Sequence, residues 1–432
     1  MSTLHETTRR RVCRATFLLL CVGSTFGVIL WAIWIDSAAH RRTHEAAWSA
    51  TLDLQVSLGR VSTPRPGVTL YEEVQLVAPE TRATLARIQA VEYDRTTSPP
   101  TLVASRPELS ADQLARAWQA LERALRLPPA QGPGFRLAET DLTLHQVDGH
   151  DQTLTNLRGH LASAKEAARA AFAFRVAGLE MTSDATLRVE RHAVRGTPPI
   201  TMRIDFQTGD AALPVGLLQS AWPALRHLGE ATYRGQLWLT TESLAGEGGA
   251  SGRLEAVDLQ TLIGDQFPTT LSGTAQIDLD AVQISGGRLA MAKGALLASG
   301  GRIWHRTLEA AVQHLDCELA NPQKRLGVSL PYQELAIGFQ LDGTRLELLG
   351  KCQHAPGALI VAGDEPLLEQ PRSPQNTISL LRLLVPENDL QVPAVSAATE
   401  LIRRLPLPEA VLDSAGTRAA RAHSLRVRTG RK

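Results

Sequence analysis

The stretch LSGTAQIDL, residues 271–279, decides the fold class. In it Ala275, Ile277 and Leu279 alternate with polar residues, and a period of two is the pattern of a strand with one buried face. Similar runs, each with a glycine two positions before an aliphatic residue, start at Gly235, Gly252, Gly287 and Gly294. Their unequal spacing differs from that of a strict repeat and predicts a long antiparallel meander in which the glycines provide the turns.

The aliphatic residues of these runs are expected to line one continuous face of the sheet. The predicted lining consists of Leu237, Leu239, Ala275, Ile277, Leu279, Leu289 and Met291. This alternation fits the closed core of a sandwich, and it equally fits an open, curved sheet with a groove for lipid tails. The sequence leaves both arrangements open.

The rest of the chain carries further strand patterns and a few helical ones. Alternation predicts strands over residues 46–60, 68–77, 84–93, 135–147, 153–162, 170–176, 185–189 and 200–206. Apolar residues three and four apart predict a helix over 110–127, capped by Ser110, and short helices over 214–228 and 259–267. Residues 304–315 fit either period. We therefore predict a mainly β fold, with an N-terminal transmembrane helix and then an elongated antiparallel β-rich domain with a few inserted helices.

An uncharged apolar run, TFLLLCVGSTFGVILWAIWI, occupies residues 16–35. About twenty residues are enough for a helix to cross the core of a bilayer. Four arginines precede the run: Arg9, Arg10, Arg11 and Arg14. By the positive-inside rule, they predict a cytoplasmic N-terminus, residues 1–15, and export of everything after the anchor. The alternative is a cleaved signal peptide, for which the small residues at 37–39 offer a cleavage site.

The exported part divides by its patterns into three segments. Residues 46–365 are expected to form the β-rich domain, 376–410 a helical C-terminal segment, and 413–432 a basic disordered tail. Lysine and arginine number 45 against 44 for aspartate and glutamate. This balance argues against a nucleic-acid-binding surface, which is usually strongly basic.

The sequence has none of the motifs that carry catalytic chemistry. It lacks a Gly-x-Ser-x-Gly elbow, a Walker loop and a Gly-x-Gly-x-x-Gly fingerprint. His145, His150 and His160 lie near Asp148 and Asp151, but without the spacing of metal ligands, and the two aspartates suit a hairpin turn. We therefore predict no catalytic, cofactor or metal site and a protein that is not an enzyme.

Two cysteines, Cys317 and Cys352, fall in the part expected to be exported. Both are flanked by strand patterns, and a disulfide persists in an oxidising compartment. A bridge between them is one interpretation. Two buried free thiols are the other, because free cysteine is among the most buried residue types.

The layout resembles a known family. The residues that carry the resemblance are VSLGRV at 56–61, VQLVAP at 74–79, LSGTAQIDL at 271–279, GGRL at 286–289 and GAL at 294–296, after one anchor with a basic N-terminus. This arrangement is similar to the AsmA-like group of bacterial envelope proteins, relatives of the larger TamB-type and bridge-like lipid-transfer proteins. The region after Gly363 has no counterpart in the resemblance.

The resemblance implies a single-pass inner-membrane protein with a β-rich periplasmic domain. Such a protein would bind or transfer lipid, or support envelope assembly, with membrane lipid and envelope proteins as partners and without a catalytic residue. The alternative of a different class is a non-enzymatic structural adaptor in a secretion or cell-wall complex. Such an adaptor would use its sheet edges and its C-terminal helices to bind protein.

Overall fold

The computed structural model describes residues 14–126, 134–145, 151–163, 167–192, 201–219, 223–241, 246–264, 271–320, 328–363, 365–384 and 405–406. The protein is mainly β, with mostly antiparallel strand pairing, an apolar N-terminal helix and a few further helices, as predicted. It divides into two compact units, Met1–Ala177 and Gly178–Lys432.

The first unit contains eight described strands and three described helices. The strands are β1 Gln55–Ser57, β2 Arg60–Arg65, β3 Val68–Val77, β4 Thr84–Asp94, β5 Thr101–Ser110, β6 Phe135–His145, β7 Gln152–Ser163 and β8 Ala167–Val176. The helices are α1 Arg14–Ile35, α2 Ala38–Leu52 and α3 Leu114–Arg126. From β3 onward, each strand pairs with the next along the chain, while β1 and β2 both pair with β3.

Helix α1 is apolar on every side and is long enough to cross a membrane. None of its apolar window is buried by the rest of the chain, and Leu19, for example, is 74% exposed. A soluble helix normally has a polar face, which this helix lacks. The helix is consistent with a signal anchor or a signal peptide.

The strand predicted over residues 46–60 is wrong in its first half, because residues 38–52 form helix α2. The Ser37 hydroxyl accepts a hydrogen bond from the His40 backbone N–H at 3.2 Å and caps the helix start. Asp53, in the left-handed conformation, ends it. Trp48 and Leu52, four residues apart, pack on a core cluster of strands β1, β2 and β3.

The helix predicted over residues 110–127 is confirmed as a 3₁₀ turn, Ala111–Gln113, followed by α3. The Ser110 side chain makes no capping hydrogen bond, so that detail of the prediction is wrong. Trp118 is half-buried and Leu125 fully buried. The helix connects β5 to β6, which form the one parallel pair among the described strands, and a parallel pair requires such a crossover.

The second unit contains thirteen described strands. They are β9 Ala185–His192, β10 Thr201–Gln207, β11 Leu213–Pro214, β12 Thr232–Thr241, β13 Glu247–Asp258, β14 Leu271–Ser285, β15 Arg288–Trp304, β16 Glu318–Leu319, β17 Ser329–Asp342, β18 Arg345–Gly350, β19 Ala358–Ala362, β20 Glu365–Glu369 and β21 Gln375–Asn376. The main antiparallel ladder runs β9–β10–β12–β13–β14–β15–β17–β18.

Short helices cover part of this ladder. They are α4 Gly216–Gln219, a 3₁₀ helix Pro223–Leu228, a π turn Gln260–Gly264, α5 His305–Leu315 and α6 Thr377–Leu384. The segment that fitted either period, residues 304–315, is therefore helical, because Leu308, Ala311 and Leu315 share one helix face that packs into the core. Of the predicted C-terminal helical segment, α6 is described; most of residues 385–410 and the tail 413–432 lie outside the described residues.

Most glycines of the repeated pattern lie inside strands, although the sequence predicted that they form the turns between strands. Gly235 and Gly252 face each other across β12 and β13, with φ of 157° and 143°. A Cβ on Gly235 would lie 2.2 Å from the Ser251 carbonyl oxygen. The prediction holds at Gly287, which forms the β14–β15 turn with Gly286. The mid-strand glycines therefore permit close approach of two backbones.

Candidate functional site

The register of the second unit places the predicted lining residues in rows that run across the strands. One row, which we call the inner row, consists of Tyr233, Leu254, Ile277, Leu296 and Ile337, each directly opposite the next. Residues directly opposite each other point to the same face of the sheet. Tyr233 is buried in a core cluster that also contains the α5 side chains, and the other four residues, which are half-buried, pack against that cluster. The inner row is therefore joined to the core.

A second row, the outer row, crosses the sheet nearer the β14–β15 turn. It consists of Leu239, Gly248, Ile284 and Leu289, again directly opposite one another, and Ile204 extends it onto β10. Leu239, Ile284 and Leu289 are half-buried, as are four of the five residues of the inner row, whereas Ile204 and Gly248 are buried. Gly248 leaves room between its neighbours, since a Cβ there would lie 3.2 Å from Leu239 Cδ1.

Between these rows lie Leu237 and Ala250, with Val282, Ala292 and Leu341 continuing across the sheet. Leu237 packs on the cluster of the inner row. Val282 and Leu289 pack on a second cluster with Ala292, Leu341 and Leu346, to which α6 contributes Leu380. The apolar face is thus continuous across the ladder, and it is helix-covered at one side.

The remaining predicted lining residues have different positions. Ala275 is buried in the inner cluster, and Leu279 lies opposite Gly252 on one side and Gly294 on the other. Met291 is opposite Gln283 and Asp342, whereas Leu289 is opposite Ile284. An irregularity in register between these pairs shifts the alternation by one residue and places Met291 on the polar face.

One residue of this face was missed by the sequence reasoning. Arg191 on β9 is in phase with Ala185, Leu187 and Val189, and it lies opposite Met202. It is 7% exposed, and its Nε atom is buried without a hydrogen-bond partner. The signal was available in the sequence, because an arginine continues an otherwise apolar alternation.

The opposite face of the same strands is polar and internally paired. The Arg203 guanidinium donates to both oxygens of Asp205 at 3.0–3.1 Å and lies 5.3 Å from the Trp238 ring centroid. The hydrogen bond to Asp205, and the charge of that carboxylate, raise the pKa of Arg203. Across the strands, Arg188 lies opposite Asp205 and Glu190 opposite Arg203. Positive and negative side chains alternate on this face, and their charges largely compensate one another.

The two cysteines are free in the structure, which favours the interpretation with two buried thiols over the disulfide. Cys317 packs in the inner cluster with Leu335, and Cys352 packs with Ala336 in another cluster. Adjacent residues of a strand point to opposite faces, so the thiols lie on different sides of β17. Burial raises the pKa of Cys317 to about 12 and that of Cys352 to about 11.

The histidines that the sequence placed near acidic residues have structural partners. His145 Nδ1 lies 2.9 Å from Asp151 Oδ1, and His145 Nε2 lies 3.6 Å from Glu108 Oε2. The hydrogen bond to Asp151 is the main cause of a raised His145 pKa. Asp148 and His150 lie outside the described residues. In the part of the chain that the structure describes, no three His, Cys, Asp or Glu side chains are grouped to hold a metal ion.

A cleft of about 240 Å³ lies where α1 meets α2. Its arginines already have partners: Arg41 Nη1 donates to the Gly59 carbonyl at 2.9 Å, and Arg60 Nη2 lies 4.0 Å from Asp36 Oδ1. Next to it, His44 Nδ1 lies 3.2 Å from the Tyr71 hydroxyl. Since its charges are compensated within the chain, this cleft gives no indication of a ligand.

The chain matches no protein-family model, no curated protein and no solved structure.

Proposed function

We propose that this is a membrane-tethered envelope protein of the AsmA-like kind, which binds or transfers lipid along the outer row of its second unit. One observation carries the proposal: the half-buried apolar side chains of Leu239 and Ile284 continue a sheet face whose inner row packs on a core cluster, yet neither belongs to that cluster or to the cluster of Leu289. Acyl chains are the occupant that we assign to this row.

The physical argument concerns apolar area. Each Å² of apolar surface removed from water contributes about 25 cal/mol. The inner row obtains part of this by packing on the cluster that includes α5, whereas Leu239 and Ile284 belong to neither of the two clusters described above. Acyl chains lying across the strands would complete the burial of the outer row. The conclusion is a surface for apolar chains, and helix α1 would tether it to a membrane that supplies them.

The proposal includes an orientation. The arginines before α1 favour a cytoplasmic N-terminus, which would place both units in the periplasm of a cell with two membranes. Lipid carried on the outer row would then be available for envelope assembly.

Site-specific photocrosslinking tests the proposal. A photoreactive amino acid is placed at Leu239 of the full chain, which is reconstituted in vesicles that contain ³²P-labelled phospholipid. A matched chain carries the photoreactive residue at Arg188, which is exposed on the polar face. We expect ultraviolet light to attach radioactive lipid at position 239 and not at position 188.

Two results would contradict the proposal. Equal labelling at both positions would mean that lipid contacts the protein without preference for the apolar face. A protein adduct at position 239, without lipid, would favour the structural adaptor.

A further inference from the structure

We propose that Arg191 binds the phosphate of a phospholipid whose acyl chains lie on the outer row. The inference rests on the proposed function and adds to it the head group that the site recognises. It starts from the position of Arg191 on the apolar side of β9, in phase with Ala185 and Val189, which are fully buried. Arg191 lies opposite Met202, which is 1% exposed.

The arginine is buried, and part of its guanidinium group lacks a partner. Only 7% of the residue is exposed, and its Nε atom has no hydrogen-bond partner among the described residues. Burying a charged group that is incompletely hydrogen-bonded is costly, and an anion that arrives with its own apolar chains offsets that cost.

The guanidinium group selects the kind of anion. It presents parallel N–H donors that match two oxygens of a phosphate or carboxylate. A phosphodiester carries one negative charge, which equals the charge of this single buried cation. Helix α1 can hold the chain at a bilayer, where phospholipid is the abundant amphiphile. We therefore assign phospholipid as the ligand.

The position also suits an amphiphile. Arg191 is opposite Met202, which is opposite Thr241, and Leu239 of the outer row lies two residues from Thr241 on β12. Strand spacing and rise per residue place the Arg191 and Leu239 Cα atoms about 12 Å apart. A head group on Arg191 therefore leaves its acyl chains within reach of the outer row.

The test measures binding of three fluorescent probes to the purified full chain in detergent. The probes are phosphatidylglycerol, a diacylglycerol with the same chains but no phosphate, and a fatty acid. The variants are Arg191→Gln, which removes the charge, and Arg191→Lys, which keeps the charge and loses the paired donors. Arg188→Gln, on the polar face of the same strand, is the matched control.

We expect Arg191→Gln to weaken phosphatidylglycerol binding by about 10- to 100-fold and to leave diacylglycerol binding unchanged, because a hydrogen bond to a charged group is lost. Arg191→Lys should lie between, and Arg188→Gln should match the unaltered chain. Without lipid, Arg191→Gln should melt at a higher temperature, since it removes a buried charge that is incompletely hydrogen-bonded.

Three outcomes would overturn the inference. Unchanged phosphatidylglycerol binding by Arg191→Gln would show that Arg191 does not contact the head group, and it would leave the proposed apolar surface unaffected. An Arg191→Gln chain that melts at a lower temperature or does not fold would show that Arg191 has a structural partner. If only the fatty acid bound in a way that depends on Arg191, the anion recognised by Arg191 would be a carboxylate and not a phosphate. If the unaltered chain binds none of the three probes, the proposed function itself fails.

Discussion

At the scale of single residues, two isoleucines on one strand have different surroundings. Ile277 and Ile284 are both on β14, and both face the apolar side of the sheet. Both are half-buried, but Ile277 packs against the cluster that includes α5, and Ile284 belongs to neither of the clusters described above. The same substitution at the two positions therefore tests two different properties.

We expect Ile277→Asp to destabilise the second unit by about 1–3 kcal/mol, because it places an unpaired carboxylate against the core cluster. Ile284→Asp should leave the fold intact, because water reaches its carboxylate, and should abolish lipid retention. Thermal melting and lipid binding of the two variants are the measurements. An Ile284→Asp chain that is folded and still retains lipid would contradict the groove at this position.

The cysteines give a second prediction at this scale. Burial raises the pKa of both thiols to well above neutrality, and the thiolate is the reactive form. Alkylation of the native chain at pH 7 should therefore be slow at Cys317 and Cys352. After denaturation without reductant, both should react at once. If neither cysteine reacted under denaturing conditions, the result would favour the interpretation with a disulfide.

At the scale of secondary-structure elements, paired mid-strand glycines determine how closely β12 and β13 approach. A methyl group at Gly235 would meet both the Ser251 carbonyl and the Gly252 Cα. Gly235→Ala should therefore lower the free energy of unfolding by about 2–3 kcal/mol, through strain and a forced shift of one backbone.

Gly216→Ala is the matched control, because nothing lies within 4 Å of the position where its Cβ would be, and it is at the start of a helix. That variant should be neutral or slightly more stable. Urea unfolding of the two variants compares them. Equal stability would show that the glycine pair is not needed for the pairing of β12 with β13.

The elements also show what alternation predicts and what it misses. Val68–Val77 follows the predicted strand from end to end. Helix α2 was missed since Leu52, Leu54 and Val56 continue one alternation across the boundary between helix and strand. Met291 was misplaced by a single register irregularity, which a period-two pattern cannot locate.

The candidate site was predictable only in part. The apolar rows follow from composition and period, and five of the predicted lining residues lie on one of the two rows or pack in the inner cluster. Which of these residues meet a core cluster depends on where α5 and α6 return to the sheet, and this is a tertiary event that local pattern does not contain. The unpartnered Nε of Arg191 likewise appears only when its neighbours are placed.

At the scale of the whole molecule, the arginines before α1 predict its orientation in the membrane. A reporter enzyme that is active only outside the cytoplasm, fused after Lys432, should be active. A reporter that works only in the cytoplasm should be silent at the same position. The reverse pattern would mean that the orientation is wrong. A chain shortened to begin after Ala39 would indicate a cleaved signal peptide.

The order of strands in the second unit has a consequence for synthesis. From β12 to β15, each strand pairs with the one made just before it. A chain that emerges from the ribosome N-terminus first can add strands singly to a growing edge, and such local pairing favours fast folding. Interruption after Trp304 would leave β15, seventeen residues long, without β17 on its outer side. So long an open edge is a template for aggregation, and incomplete chains should be removed by cellular quality control.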